Sequence, residues 1–256
     1  MHKYLVFAIL ISASSAYANN AAYVTLSNQM ARTTQLGMVA NNVANVSTTG
    51  YEMNDVLLSP VDAKASKRKT NSFVFTDAEY LSENQGPLKS TGRPLDLAIT
   101  GDGYFKILTD NGDRYTLDGA MMPNRDMVLV NAHGMPYASV DNQPLILPAT
   151  FTTLDIGEDG TIYADKEAIG QVGVFTFQNK SSLRREGKNL YFSTAGDAAA
   201  ENAVIVSGML RGSNVNSAKA MSELIDLQRS VSATNSLMSD IISTEKTAIA
   251  KMTSQK

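Results

Sequence analysis

What this sequence lacks limits its chemistry. Its 256 residues include no cysteine, no tryptophan and only two histidines. Without cysteine there is no disulfide, no thiolate metal site and no cysteine nucleophile. His2 lies close to the N-terminus, and His133 stands alone in a turn context (Ala132–Pro136), so a histidine-based catalytic or metal centre has no visible partners. The sequence therefore predicts a protein that is not an enzyme and that holds no metal and no cofactor.

Neither sign of charge is in large excess. The net charge is -3, which is not typical of a nucleic-acid-binding protein. One basic run, Lys64–Lys69, is interpreted as a solvated loop, with a nucleic-acid or membrane patch as the alternative. The acidic turns Asp110–Asp113 and Asp155–Asp159 lack the ligand spacing of an EF-hand calcium loop. We therefore expect no nucleic-acid partner and no small-molecule substrate.

Long apolar runs are also missing. The run from Tyr4 to Ile11 is too short to cross a bilayer. It follows His2 and Lys3 and precedes Ala16-Tyr17-Ala18, so residues 1–18 have the pattern of a cleaved secretory signal. We predict a mature chain that begins at Asn19 and keeps no stable membrane anchor after cleavage. The alternatives are an uncleaved extension or a wrongly assigned start codon.

Glycine and proline are absent from Asn216 to Ala250, so nothing local interrupts a helix there. Residues of this stretch recur at alternating steps of three and four, a heptad spacing. A helix of this length would extend roughly 50 Å and would need a partner helix. We call this row the C-terminal seam; it comprises Met221, Leu224, Gln228, Val231, Asn235, Met238, Ile242, Glu245 and Ile249.

A matching row occurs near the other end of the chain. This N-terminal seam comprises Tyr23, Leu26, Met30, Thr33, Gly37, Ala40 and Ala44, and a second row of Leu36, Val39, Val43 and Val46 widens its apolar face. The two rows predict that residues 19–46 and 215–256 form one helical coiled-coil domain, with residues 47–214 inserted between them. The alternative is two ordinary amphipathic helices packed on one globule.

Two elbows are predicted where the helices meet the inserted segment. In the first elbow, residues 40–51, asparagines tolerate left-handed backbone and Gly50 permits a positive φ, so the helix is expected to end near Val46. In the second elbow, Arg211–Asn216, Gly212 permits a turn and Asn216 or Ser217 can cap the following helix. We expect the elbows to lie near each other, although the first is alternatively only a capped helix end.

The middle of the chain changes from helical spacing to short apolar runs separated by glycine turns. These runs predict an antiparallel β domain, so the fold class is α+β. The polar segment from Tyr51 to Lys69 is interpreted as a flexible or partner-ordered connector. The predicted strands are Ser72–Phe75, Leu95–Ile99, Tyr104–Leu108, Met127–Val130, Leu145–Leu147, Thr161–Tyr163, Gln171–Phe177 and Ala203–Val206.

Four segments of this sequence resemble bacterial flagellar rod and hook proteins. They are ANNVANVSTTGY (40–51), RPLDLAITGDGYFKI (93–107), YTLDGAMMPNRDMVLVNAHGMPY (115–137) and GSNVNSAKAMSELIDLQRS (212–230). Together they span most of residues 21–250 in the family's order. The run VIVSGMLRGSNVN (204–216) is most similar to the proximal-rod members, with the distal-rod members next.

The resemblance implies a non-enzymatic axial subunit of the flagellar basal body, exported to the periplasm. In that family the terminal helices pack as a coiled coil at the inner wall of a hollow helical tube that transmits torque. Its partners are copies of itself and other proximal- and distal-rod proteins. The signal-like residues 1–18 depart from the family pattern, because members normally leave through the flagellum's own export channel. The competing interpretations are a secreted β-rich binding or adhesion module with a helical stalk, and a secreted hydrolase.

The candidate assembly residues come from both seams and both elbows. The polar members Gln228, Asn235 and Glu245 could set register or face a neighbouring helix, or they could line a wetted channel. The candidates are Leu26, Met30, Gly37, Ala40, Asn41, Asn42, Ala44, Asn45, Gly50, Asn214, Asn216, Met221, Leu224, Gln228, Val231, Asn235, Met238 and Ile242.

Overall fold

The computed structural model describes residues 25–66, 69–82, 84–200 and 203–253, and the predicted signal segment lies outside them. The fold is α+β, as predicted. The chain divides into two compact units, which are described separately below. The helical unit contains residues 25–43, 54–80 and those from Asn216 onward, and the β unit contains Ala44–Met53 and Leu81–Val215.

The helical unit combines two helices with a two-stranded sheet. Helix α1 covers residues 25–44 and helix α2 covers Ser217–Thr253. Strands β1 (Asn54–Ser66) and β2 (Lys69–Leu81) pair with each other. Within the described part of the chain, neither helix combines the length and apolar character that crossing a bilayer requires.

The paired strands β1 and β2 correct the sequence interpretation. A flexible or partner-ordered connector was expected from Tyr51 to Lys69, but most of this segment is strand β1, paired within the chain. The strand was missed because its residues show no apolar alternation. Pairing with an adjacent strand satisfies the backbone amides and carbonyls of a strand whatever the side-chain pattern is.

Local sequence explains how both helices are bounded. Asn216 caps α2, because its Oδ1 accepts a hydrogen bond from the Lys219 amide at 3.0 Å. Helix α1 ends at residue 44, and Asn41, Asn42 and Asn45 do not take the left-handed backbone that the sequence suggested. Asn42 instead binds the start of β1: its Nδ2 donates to the Asn54 carbonyl at 2.8 Å, and its Oδ1 accepts from the Asn54 amide at 3.1 Å.

The β unit is built from short antiparallel strands. Its largest sheet has six strands in the order β13-β14-β6-β5-β12-β15, and a second has three in the order β11-β10-β9. The pairs β16-β4, β17-β3 and β7-β8 complete the unit. The strands are β3 (Leu88–Ser90), β4 (Leu97–Thr100), β5 (Tyr104–Ile107), β6 (Arg114–Thr116), β7 (Met122–Pro123), β8 (Leu129–Val130), β9 (Leu154–Ile156), β10 (Thr161–Ala164), β11 (Glu167–Gln171), β12 (Val174–Thr176), β13 (Leu183–Gly187), β14 (Leu190–Ser193), β15 (Ala198–Ala199), β16 (Val204–Ser207) and β17 (Met209–Arg211).

The predicted run Ser72–Phe75 lies in β2 of the helical unit. The other predicted runs overlap strands of the β unit except Leu145–Leu147, whose middle residue makes only an isolated bridge to Val128. Predicted turns are confirmed at Gly112 and Gly160, where φ is +95° and +84°. Such values suit glycine because it has no Cβ to clash with the backbone.

The core of the β unit consists of large apolar side chains from several strands. Leu97, Phe105 and Ile107 are fully buried, and the Phe105 ring meets the Tyr137 ring edge-on with 6.1 Å between centroids. A second cluster contains Tyr104, Tyr115 and Tyr191. Burial on this scale supplies the main stabilisation of a domain of this size.

Candidate assembly surfaces

Helix α1 has two opposite faces. Because successive residues turn by about 100° around a helix, the members of the N-terminal seam fall close to one line. Ala31, Val39 and Asn42, which are buried, fall on the opposite side. Leu26 and Met30 are 43% and 65% exposed. Gly37, Ala40 and Ala44 are exposed as well, so the described single chain does not pair its two helices through this seam, and the coiled coil stays a prediction.

Helix α2 buries a row that overlaps the C-terminal seam only in part. The predicted Leu224, Val231 and Met238 are half-buried. The predicted Met221, Gln228, Asn235 and Ile242 are exposed, and the residues one position earlier replace them on the inner face. The inner row is Ala220, Leu224, Leu227, Val231, Thr234, Met238 and Ile241.

The helices α1 and α2 run antiparallel. Gln29 Nε2 donates a hydrogen bond to Asn235 Oδ1 at 2.6 Å. Farther along α1, Arg32 and Gln35 share a cleft with residues of the first turns of α2, from Lys219 to Leu227. Residue numbers therefore rise along one helix as they fall along the other. Asn235, a predicted register residue, makes its contact within the chain.

The outer surface of α2 carries further apolar side chains. Ile225 and Leu237 are 49% and 59% exposed, and both were missed because they lie outside the heptad row. Ile249, a predicted seam residue, is 62% exposed. Isolated helices with apolar faces of this kind gain stability mainly by packing on another element. Both helices therefore keep apolar side chains on their outer faces in the single chain.

Backbone hydrogen bonds hold the two elbows together within the β unit. The Gly50 amide donates to the Arg211 carbonyl at 2.7 Å, and the Asn214 amide donates to the Tyr51 carbonyl at 3.3 Å. The Asn214 side chain accepts from the Met53 amide at 2.6 Å and donates to the Asn84 carbonyl at 2.6 Å. The expectation that the elbows lie near each other is confirmed.

Gly50 is required at its position for two reasons. Its φ is +66°, which side chains of L residues rarely adopt. A Cβ there would also overlap the backbone of Leu117 and Asp118. The first elbow is therefore more than a capped helix end, because its backbone approaches the β unit too closely for any side chain.

A buried charged cluster surrounds the elbows. Glu52 is buried and accepts a hydrogen bond from the Tyr104 hydroxyl at 3.0 Å. Arg211, also buried, donates to the Gln85 side chain at 2.8 Å and to the Ile99 carbonyl. Burial raises the pKa of Glu52 and lowers the pKa of Arg211, because both charged forms lose water.

These charges were missed at the level of sequence. Arg185 lies over the Tyr51 ring at 4.3 Å and donates to the Glu52 carbonyl. Spacing in the sequence does not reveal this contact, because Arg185 is far from the elbow along the chain. The signal that was available is that Arg211 opens the second elbow and Glu52 directly follows the first.

His133 is the only histidine in the part of the chain that the structure describes. His133 is exposed in its turn. No group of three or more histidine, aspartate or glutamate side chains among the described residues is placed to hold a metal ion.

Comparisons with known proteins identify the family. The flagella basal body rod protein model matches residues 23–51, the flagellar hook protein FlgE/F/G D1 domain model matches residues 98–164, and the flagellar basal body rod FlgEFG C-terminal model matches residues 206–250. The matched segments contain both elbows and most of α2.

Similar proteins share almost the whole chain. The flagellar basal-body rod protein FlgF of Caulobacter vibrioides is 31% identical over 91% of this chain and 98% of its own length. FlgF of Mesorhizobium japonicum is 31% identical with the same coverage of both chains. FlgG of Bacillus subtilis is 30% identical over 77% of this chain and 85% of its own length.

The chain therefore belongs to the family of flagellar basal-body rod proteins. The predicted function, a structural rod subunit of the flagellar basal body, is confirmed at this level. The predicted resemblance to FlgF, with FlgG next, is also confirmed.

Proposed function

We propose that this chain is an axial subunit of the proximal part of the rod, where copies of it polymerise with other proximal- and distal-rod proteins into a hollow helical drive shaft. The single observation that carries this proposal is the exposed N-terminal seam, which lies opposite the buried face of α1. A helix face that is apolar, narrow and uncovered in the single chain fits a partner helix of another subunit.

Gly37 supports the same conclusion. A glycine inside a helix costs about 0.5–1 kcal/mol relative to alanine. Nothing in the described chain requires this glycine, since a Cβ there would meet no atom within 4 Å. Together with Ala40 and Ala44 it makes a shallow strip that lets a second helix approach closely. In the assembled rod the terminal helices thereby form the coiled-coil domain of residues 19–46 and 215–256.

The β unit, which contains most of the predicted inserted segment 47–214 but not residues 54–80, has a different role. Its closely packed core resists deformation. Backbone hydrogen bonds between the two elbows hold these two segments of the chain beside each other. We propose that this unit contacts neighbouring subunits, because a rigid body can transmit torque to them. In this role the protein needs no substrate, cofactor or catalytic group.

The subunit works in the periplasm after export. The signal-like pattern of residues 1–18 supports the general secretory route, with cleavage after Ala18. Deleting residues 2–18 tests this route, since unchanged delivery to the periplasm would exclude it.

Purification of basal bodies tests the main proposal. Detergent-extracted basal bodies from the native cell should contain the chain, and a Met30→Asp variant should be depleted from them because a charge would be buried in a helix contact. An Asp substitution at the exposed Thr34, off the seam, is the matched control. Absence of the wild-type chain from intact basal bodies contradicts the proposal.

Amide hydrogen exchange supplies a second measurement. We predict weak protection of α1 and α2 in dilute monomer and strong protection after assembly, because the outer faces of both helices gain partners. Strong protection of residues 221–249 in the dilute monomer would show that assembly is not what orders them.

A further inference from the structure

We propose that Lys106 and Asp197 of the β unit join their side chains in an amide bond, and that Asp113 carries the proton in this reaction. The bond is a covalent modification inside one domain, so it goes beyond the proposed function and does not depend on rod assembly. Because the chain has no cysteine, no disulfide can supply such a link.

The two reacting groups are in contact. Lys106 lies in β5, an inner strand of the six-stranded sheet, and its side chain is buried. Asp197 directly precedes the edge strand β15, and its Oδ2 lies 2.5 Å from Lys106 Nζ. Because a C=O bond is about 1.2 Å long, the Asp197 Cγ atom lies within about 3.7 Å of Nζ. Atoms that react with each other are typically about 3–3.5 Å apart before attack, so this nitrogen and this carbon are in or close to that range.

A second carboxylate faces the same amine. Asp113 directly precedes β6, and its Oδ2 lies 3.4 Å from Lys106 Nζ. One ammonium group therefore faces two carboxylates, and both carboxylates are partly withdrawn from solvent. A carboxylate beside the reacting pair can take a proton from the amine and pass it on.

Aromatic rings limit the access of water to the amine. The centroid of the Phe175 ring is 3.8 Å from Lys106 Nζ, and the centroid of the Tyr115 ring is 5.8 Å from it. Both rings belong to the second core cluster of the β unit. Charges that are taken out of water lose their solvation, whereas an amide that replaces them carries no charge. Removal of water therefore favours the linked product.

The unreacted pair is ionic. Burial raises the pKa of the Asp197 carboxyl, but Lys106 and the Tyr115 hydroxyl lower it by more, so this pKa lies below its ordinary value. The neutral amine and the neutral acid that react are a minor state, which is reached when a proton moves from Nζ to a carboxylate. We therefore expect the bond to form slowly after folding.

The reaction balances within the chain. Asp113 takes one proton from the ammonium group, and the freed lone pair of Lys106 Nζ attacks Asp197 Cγ and forms the N–C bond. One C–O bond of the carboxyl group breaks, and its electron pair stays on the departing oxygen. Of the three ammonium protons, one stays on the amide nitrogen and two leave with that oxygen as water.

The bond reaches across strand β12, which lies between β5 and β15 in the sheet. Strand β15 pairs with β12 through Ala198 and Ala199. An edge strand with so short a ladder opens easily when hydrogen bonds alone hold it. A covalent bond from Asp197 to the inner strand β5 fixes this edge of the β unit.

Mass spectrometry of the purified full chain tests the bond. The wild type should be lighter by one water molecule than its sequence requires, whereas Lys106→Met should show no such loss, and signal cleavage changes both masses equally. Trypsin should release a branched peptide of residues 90–114 and 189–211 that is uncut after Lys106. Lys180 and Asp102 are the matched internal control, because Nζ and Oδ1 are 2.8 Å apart but both side chains are more exposed. This pair should remain unlinked.

A time course tests the part of Asp113. Refolded chain is sampled over hours, and Asp113→Asn should slow formation of the branched peptide by about ten-fold or more, because the proton acceptor is lost. Wild type kept in urea should form none, since unfolding separates the two side chains. Formation at the wild-type rate in Asp113→Asn would overturn the role of that carboxylate.

Unlinked tryptic peptides and an undiminished mass in aged wild type would show that Lys106 and Asp197 form an ion pair only, and would overturn the proposal. Linkage of Lys180 to Asp102 in equal yield would also overturn it, because the buried site would then have no special reactivity. None of these measurements uses basal bodies, so the rod subunit assignment stands or fails separately.

Discussion

The two units of this molecule bury their apolar side chains to very different extents. The β unit buries large side chains completely, among them Leu97, Phe105 and Tyr137. Among the residues whose burial is described, the buried apolar side chains of the helical unit are Ala31, Val39, Val56, Ala220 and Leu227, which are small or medium in size. Larger apolar side chains of this unit, such as Met30, are exposed to solvent. We infer that the β unit is stable by itself, whereas the helical unit depends on partners.

The largest expected effect lies in the β core. Phe105→Ala should reduce the free energy of unfolding of the β unit by about 3–5 kcal/mol, because it leaves a cavity among fully buried side chains. Phe151→Ala, at a residue that is 37% exposed in the same unit, should cost far less. Denaturant unfolding followed by circular dichroism measures both, and equal losses would contradict the contrast between core and surface.

The elbow should respond strongly to a single methyl group. Gly50→Ala combines a positive φ with overlap against the backbone of Leu117 and Asp118. Gly134→Ala is the control, because its φ is +78° but a Cβ there meets no atom within 4 Å. Both variants share the strain of a positive φ, on the order of 1–3 kcal/mol. The overlap adds a cost at Gly50 alone, so we expect Gly50→Ala to lose more than about 1 kcal/mol beyond Gly134→Ala in urea unfolding.

In the helical unit, we expect one substitution to stabilise the monomer and at the same time to weaken assembly. Gly37→Leu should stabilise the isolated monomer by roughly 0.5–1 kcal/mol, because leucine favours helix and the position is open. The same variant should assemble poorly, since its side chain would separate the two helices. Sedimentation of assembled particles and monomer unfolding are compared with Thr34→Leu, and normal assembly of Gly37→Leu would refute the close helix contact.

The smallest expected effect concerns the buried Glu52. Burial raises its pKa in the folded state, so its contribution favours folding below the unfolded pKa and is lost as pH rises through the folded pKa. Glu52→Gln stays neutral and can still accept the Tyr104 hydrogen bond. The stability of this variant relative to wild type should therefore increase from about pH 4 to pH 7, as measured by urea unfolding.

An exposed carboxylate offers a control of opposite sign. Amide donors of Thr153 and Thr152 lower the pKa of Asp165, so its contribution is present above the unfolded pKa and is lost as the pH falls through the folded pKa. Asp165→Asn should therefore lose stability relative to wild type at pH 7 more than at low pH. The same pH trend in both variants would contradict the assignment of burial as the cause for Glu52.

Local sequence determined several parts of this protein. The absence of glycine and proline predicted α2, Asn216 predicted its cap, and Gly50 predicted the positive φ of the first elbow. These features depend on neighbouring residues along the chain, whose conformational preferences can be judged without knowing the fold. The four family-like segments likewise indicate the rod proteins from sequence alone.

Only the tertiary structure decided which helix faces are buried and which charges are hidden. Steps of three and four occur in more than one row of α2, so Leu227 and Gln228 were equally available until packing selected Leu227. The contact of Arg185 with Tyr51 joins residues that are far apart in the sequence. Strand β1 has no alternation of apolar side chains, so only its pairing with β2 identifies it as a strand. Whether a side chain is buried depends on which residues pack against it in the folded structure, and the spacing of residues along the chain does not specify those contacts.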